Sequence, residues 1–378
     1  MKYPIGIQDF EDLQRNGYAY VDKTNFVYKL ADEGKYYFLS RPRRFGKSLF
    51  LSTLEAYFQG KKELFKGLAI YDLETEWKKY PIFHIDLNTA NFREKDSLYT
   101  VLNDYLTSWE DKYGARESEA TLALRFKGVI ARAAEKEGCG VVILIDEYDK
   151  PILQTLRDPE LQAGHRAQLK AFYSVLKTQD RYIKFAFLTG VTKFGKVSVF
   201  SDLNNLTDIS MDHRYISICG MTEKELLTNF KEGISELASA NEDNETETID
   251  KLRMRYSGYH FEENSEEIYN PFRVLNTLAN SRYDDYWFKA DTHTFLIDIL
   301  KKHDYCITDL NKTQVKANMM NNVDFNPIPV IYQSGYLTIK SYDERFKNYQ
   351  LGIPNKEVEE GILNTLLPHG CKTAEMDC

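Results

Sequence analysis

The chain has 378 residues, 43% of them hydrophobic, which is enough to bury two cores, so two domains are expected. Its formal charge of −8 speaks against a generally basic nucleic-acid-binding surface, because non-specific affinity comes largely from neutralised phosphates. No signal peptide opens the chain, no apolar run approaches the roughly 20 residues of a membrane span, and seven scattered histidines lack a zinc-enzyme pattern.

The first predicted element is the run Tyr36-Tyr37-Phe38-Leu39-Ser40, which reads as a buried strand. After it comes Arg41-Pro42-Arg43-Arg44-Phe45-Gly46-Lys47-Ser48, and then Leu49, Phe50, Leu54, Tyr57 and Phe58 at helical spacing until Gly60 offers a stop. A lone Gly-Lys-Ser tripeptide is more often a surface turn, but strand, loop and helix together are the context a phosphate-binding loop requires. In that context the loop amides and the helix N-terminus face phosphates, Lys47 reaches the β- and γ-phosphates, and the Ser48 hydroxyl ligates Mg²⁺. The glycine that usually opens such a loop is replaced by Arg41, so the tight first turn falls to Pro42 or to non-glycine dihedrals.

Pro81 to Leu87 gives a second strand candidate, and Val141-Val142-Ile143-Leu144-Ile145 a third, followed by Asp146-Glu147. Consecutive aliphatic residues without alternation imply a strand covered on both faces, and carboxylates at its C-terminal end lie where open α/β sheets bind ligands. Asp146 is placed to hold Mg²⁺ through water, and Glu147 to orient and polarise the attacking water. Leu161, Leu169, Phe172, Tyr173 and Leu176 predict a helix, and Ile183 to Leu188 a fourth strand. Thr189 is the first candidate for a polar sensor of the γ-phosphate and Thr192 the second, with closure of a strand by threonine as the alternative for each. Tyr215 to Cys219 is the fifth strand candidate. The alternation predicts an α/β three-layer sandwich around a parallel sheet.

A boundary is expected near residue 220, dividing the chain into 1–220 and 221–378. Thr222 and Glu225 read as a capping box opening a helix that runs through Phe230 and Leu237. Asn241 to Thr248 reads as a solvated loop or frayed helix start, Phe295, Leu296, Ile299 and Leu300 as a helix, and Tyr336–Lys340 with Tyr349–Ile353 as a β-hairpin. Helices followed by a hairpin suit a winged helix, used either on DNA or, as the acidic charge favours, as a lid on the nucleotide domain. Arg41, Arg43 and Arg44 form the densest basic cluster, expected to face ATP, a facing subunit or acidic partners. Arg214 and Arg273 are the candidates for a transition-state arginine, in cis or across a subunit interface, against the commoner role of a surface or salt-bridge residue. Cys139, Cys219, Cys306, Cys371 and Cys378 show no CxxC or metal spacing and are expected to be reduced thiols in a cytoplasmic protein.

Taken together, Tyr3 to Phe10, Tyr20 to Thr24, the Arg41–Ser48 loop and Asp146-Glu147-Tyr148-Asp149-Lys150-Pro151 resemble the predicted AAA-ATPase-like family of bacterial P-loop proteins. Tyr256 to Tyr259, Tyr269 to Phe272 and Tyr286-Trp287-Phe288 extend that resemblance over nearly the whole chain. It makes the missing first glycine a family trait. It implies an ASCE-type core with strand order 5-1-4-3-2, a winged-helix-like region after it, ATP as ligand, and a base site near Phe10 and Tyr20. Members often continue into a PD-(D/E)xK nuclease-like domain. After Gly352 only the helical pattern from Val358 to Leu367 remains, so no nuclease activity is expected of this chain. The functions weighed are a Mg²⁺-dependent ATPase coupled to a lid and a protein partner or second copy, a slowly hydrolysing nucleotide switch, and a P-loop phosphotransferase.

Overall fold

The computed structural model describes residues 1–193, 205–286, 310, 313–320 and 327–366. Its first part is a five-stranded sheet made of β1 (Tyr36–Ser40), β2 (Ile82–Asp86), β3 (Val141–Asp146), β4 (Ile183–Gly190) and β5 (Thr207–Asp208). The order β2-β3-β4-β1-β5, with every pairing parallel, is the predicted 5-1-4-3-2 order read from the other edge. Helices α1 (Phe10–Arg15), α2 (Thr24–Glu33), α3 (Lys47–Phe58), α4 (Ile70–Leu73), α5 (Ser97–Tyr113), α6 (Leu122–Glu137), α7 (Lys150–Leu153) and α8 (Pro159–Thr178) surround it.

Strand period decides which helices cover which face. Tyr37, Leu39, Val142, Leu144, Phe185 and Phe187 pack with Phe50, Leu51 and Leu54 of α3, while Phe38, Ile85, Ile143, Ile145 and Leu188 turn the other way onto α5, α6 and α8. Both faces are therefore dry, which is why β3 tolerates an unbroken aliphatic run. The result is an α/β three-layer sandwich of the P-loop type.

The fifth strand is not where the sequence put it. Tyr215 to Ile218 lies in a 3₁₀ stretch, His213–Ile218, with Cys219 as its C-cap, and the strand beside β1 is the two-residue β5, paired with Tyr37 and Phe38. Tyr215 and Ile216 are buried, as a strand would be, but their carbonyls accept hydrogen bonds from the Arg41 guanidinium at 3.2 and 3.4 Å and so are not offered to a ladder. A short buried apolar run has the same appearance in either conformation.

Beyond the sheet, α9 (Glu223–Asn229), α10 (Lys231–Ala240), α11 (Glu245–Tyr256) and α12 (Pro271–Asn280) form a helical cluster around Leu226, Phe230, Ile234, Leu252, Tyr256 and Val274. The Thr222–Glu225 capping box is present, but the expected single helix is broken at Phe230 (φ −126°, ψ 24°), whose buried ring anchors the corner. The polar run is a capped start: Asn244 and Glu247 form a second capping box. The hairpin is β7 (Thr338–Asp343) with β8 (Asn348–Gly352), and β6 (Gln314–Lys316) adds a third antiparallel strand that was not expected. Helices Pro327–Gln333 and Lys356–Leu366 flank this small sheet. Its apolar residues Ile339 and Leu351 share one core with Phe45, Tyr259 and Phe261, so the hydrophobic interior runs on from the parallel sheet. The expected helix at Phe295–Leu300, Trp287-Phe288, and Cys306, Cys371 and Cys378 lie outside the described residues.

Candidate active site

The loop from Arg41 to Gly46 joins β1 to α3 at the carboxyl edge of the sheet. Arg44 (φ 66°) and Gly46 (φ 93°) both adopt left-handed backbone, and Gly46 is the N-cap of α3. A Cβ at Gly46 would meet nothing within 4 Å, so glycine is required there for its dihedral rather than for room. Lys47 turns back under the loop: its Nζ donates to the carbonyls of Arg41 (3.2 Å) and Pro42 (3.4 Å) and stands 3.3 Å from Glu147 Oε1.

Asp146 ends β3 one residue earlier, buried, with its carboxyl pushed up to about 6 by burial first and by neighbouring Glu147 second; the Ser48 hydroxyl and Lys47 oppose the shift. Its Oδ1 also accepts the Glu147 amide at 3.0 Å. Glu147 has φ 52°, a strained backbone for a residue with a Cβ, held by bonds from Tyr148 N to Thr189 O (3.1 Å) and Lys150 N to Glu147 O (3.0 Å). A hydroxyl and a desolvated carboxylate side by side form a hard-oxygen pair, and a divalent cation would relieve the burial of that carboxylate. Among the described residues no group of three or more His, Cys, Asp or Glu gathers, so the chain would offer such an ion these two oxygens and leave its other positions to phosphate and water.

A cavity of about 570 Å³ opens over this edge. Arg43, Arg44, Lys47, Arg93 and Lys150 line it against one lining carboxylate, Glu147, an excess of positive charge in a chain of net charge −8. Its other walls are the N-terminal segment Pro4–Gln8, Pro271, Phe272 and Leu275 at the start of α12, and Ser334 and Tyr336. The last pair is seated by Gly335 (φ 87°), where a Cβ would come within 2.8 Å of the Pro42 ring. A smaller cavity of about 90 Å³, lined by Tyr20, Val21, Phe45, Ile218 and Cys219, shares Pro4, Gly46, Leu49, Pro271 and Leu275 with the larger one.

The residues singled out from the sequence divide clearly. Lys47, Ser48, Asp146 and Glu147 come together, and Arg43, Arg44, Gly46 and Leu49 line the large cavity. Arg41 does not: its guanidinium is buried, donating to the carbonyls of Ser40 (3.0 Å), Ser210 (2.6 Å) and Tyr215 (3.2 Å), and its carbon lies 4.0 Å over the Phe261 ring. Pro42 lies behind the loop, and Phe45 packs edge-on against Tyr259 at 4.9 Å. Tyr20 lines the small cavity, whereas Phe10 is buried between Tyr20 and Phe65 and lines neither. The Thr189 hydroxyl is spent on the Leu39 carbonyl at 2.9 Å, and that of Thr192 on Asp149 at 2.6 Å. Arg214 is an exposed partner of Asp212 at 2.7 Å, away from the cavity, and Arg273 is buried against Glu357 at 2.8 Å.

Sequence reasoning missed Asn88, Arg93, Lys150 and the Pro4–Gln8 segment as cavity walls. Lys150 and Pro4–Gln8 sit inside runs that carry the family resemblance, which was the available signal; Arg93, in a polar stretch after β2, gave none.

A family model described as "Predicted AAA-ATPase" matches residues 4–200. A protein of Azotobacter chroococcum mcd 1, described as "Uncharacterized protein in vnfD 5'region", is 37% identical over 372 residues, covering 97% of this chain and 70% of that protein. Among solved structures, the ORC2 protein of Aeropyrum pernix, in its ADPNP-ADP complexes, aligns over 97% of this chain and 95% of its own at 11% identity and a TM-score of 0.30, too remote to bear on the assignment.

Proposed function

The chain belongs to the predicted AAA-ATPase family, and from that premise we propose that it binds ATP with Mg²⁺ in the cation-lined cavity and hydrolyses it. The observation that carries this is the placement of the Lys47 amine 3.3 Å from the Glu147 carboxylate, beside the Ser48–Asp146 pair. The β- and γ-phosphates lie along the loop amides and the α3 N-terminus, with Lys47 exchanging its carbonyl partners for phosphate oxygens. Ser48 and Asp146 hold Mg²⁺, which when bound neutralises charge on those phosphates. Glu147 takes a hydrogen bond from the attacking water and aligns it. The nucleobase enters the small apolar cavity beside Tyr20, and the chain beyond residue 220 forms a second, winged-helix-like unit that closes as a lid and passes the nucleotide state to a protein partner or a second copy.

The test is Mg²⁺-dependent phosphate release together with ATP binding, for the wild type, Lys47→Ala and Glu147→Gln. Glu147→Gln is expected to keep ATP while losing about a hundredfold or more in turnover, and Lys47→Ala to lose binding. Tight binding without turnover in the wild type would convert the reading to a slow nucleotide switch; no binding would end both.

A further inference from the structure

We propose that Lys150 and Arg93 form a cationic wall, supplied by the same chain, that contacts the terminal phosphate of ATP and stabilises the charge of its transfer to water; this rests on the ATP-hydrolysing reading above. The register Asp86↔Asp146 sets the segments that follow β2 and β3 side by side at the carboxyl edge. Each supplies one cation to the cavity that Lys47, Ser48 and Glu147 also line.

Lys150 follows Glu147 by one turn, and its ammonium is fixed by the Asn88 carbonyl oxygen at 2.7 Å and the Asn88 Oδ1 at 2.8 Å, both neutral acceptors. Arg93 is placed by its neighbour. Phe92 is fully buried, its amide donates to Gln154 Oε1 at 2.7 Å, and its carbonyl meets His165 Nε2 at 2.9 Å. The position of Arg93 on the rim is thereby set by buried contacts, while its guanidinium makes no ion pair among the described residues. Among the described residues no carboxylate stands within ion-pair distance of either cation: Glu147, whose charge reaches Lys150 as that of Asp86 does, makes its close contact with Lys47. The arginines suggested by sequence, Arg214 and Arg273, are held in pairs with Asp212 and Glu357.

In the reaction the water oxygen bonds to the γ-phosphorus as the bond from that phosphorus to the β,γ-bridging oxygen breaks. The electron pair of that bond stays with ADP, and the water proton passes to Glu147. Negative charge then spreads over the three γ-oxygens. Lys47 meets them from the loop side; Lys150 and Arg93 meet them from the β2–β3 side.

The experiment compares wild type, Arg93→Ala and Lys150→Met for turnover, for affinity toward ATP, and for affinity toward ADP with aluminium fluoride as a mimic of the transferring phosphoryl group. Turnover is expected to fall by about a hundredfold or more in each variant, with ATP affinity kept within a few-fold and the fluoride complex lost. Mixing Arg93→Ala with Glu147→Gln is expected to restore nothing, since both groups act within one chain. Unchanged turnover, equal weakening of ATP and fluoride complexes, or rescue on mixing would each overturn the proposal while wild-type hydrolysis keeps the ATPase reading. A wild type that does not hydrolyse ATP overturns both. Arg93 is exposed, so its substitution separates lost chemistry from lost folding even where Lys150→Met does not fold.

Discussion

Asp146 carries opposing demands. Burial and the adjacent Glu147 raise its carboxyl to about 6, while the proposed metal role needs it ionised. Its folded-state pKa lies above the unfolded value, so folding favours its protonated form. The stabilising contribution of that form is fully present below about 4 and is lost as pH rises through about 6. At neutral pH the charged, buried group therefore costs the ligand-free fold on the order of 1 to 3 kcal/mol. Asp146→Asn removes that charge and keeps the shape. The variant is expected to have a higher Tm than the wild type at pH 7.5, a difference that shrinks toward pH 5, and to show no Mg²⁺-dependent turnover. Thermal melts at the two pH values check this; a Tm that falls on substitution at pH 7.5 would show that the carboxylate is stabilised as the anion. Asp149, raised to about 6 by burial and by Glu147 in spite of the bonds it accepts from Thr192, reports on the same crowding of acids at the end of β3.

The loop between β1 and α3 shows how one side chain can substitute for a missing glycine. Arg41 occupies the position where a glycine commonly opens such a loop, and its guanidinium is used as a buried brace that gathers the Ser40, Ser210 and Tyr215 carbonyls and covers Phe261. Arg41→Gly, which restores the usual residue, is expected to lower stability by roughly 2 to 4 kcal/mol, because it orphans several buried carbonyls at once, and not to raise turnover. Urea unfolding decides it; a variant as stable as the wild type would show that water satisfies those carbonyls. This brace also marks where the sequence stopped being legible. The four long strands, α3 and the cluster of Lys47, Ser48, Asp146 and Glu147 were readable because each depends on local period or on spacing along one segment. The identity of β5 was not, because whether Tyr215 and Ile216 join a ladder is settled by Arg41, far away in the chain. For the same reason Arg41 and Thr189 read as site residues although the two terminal nitrogens of Arg41 and the Thr189 hydroxyl are turned to carbonyls of other segments. Arg93 was invisible because an arginine in a polar stretch acquires meaning only through the anchoring of Phe92 by Gln154 and His165.

At the scale of the molecule, the large cavity gathers, besides the segments that follow β2 and β3, four stretches that are far apart in the chain: Pro4–Gln8, the Arg43–Leu49 loop, the start of α12 and the Ser334–Tyr336 turn. The turn is already pressed on Pro42 by Gly335, and Arg44 lies 4.7 Å from the Phe272 ring, contacts that add to those of Arg41 with Phe261 and Phe45 with Tyr259 in tying the loop to the later half of the chain. A ligand that binds the folded state alone stabilises it by about 2.7 kcal/mol at a hundred times its Kd. If phosphates seat on the loop, that stabilisation appears together at all four stretches rather than at the loop alone. Hydrogen exchange with and without ATP and Mg²⁺ is therefore expected to show added protection at residues 4–8, 271–275 and 334–336 as well as at 43–49, and none of it in Lys47→Ala. Protection confined to 43–49 would mean that the N-terminal segment and the Ser334–Tyr336 turn merely border the cavity, and that the later half of the chain does not sense the nucleotide.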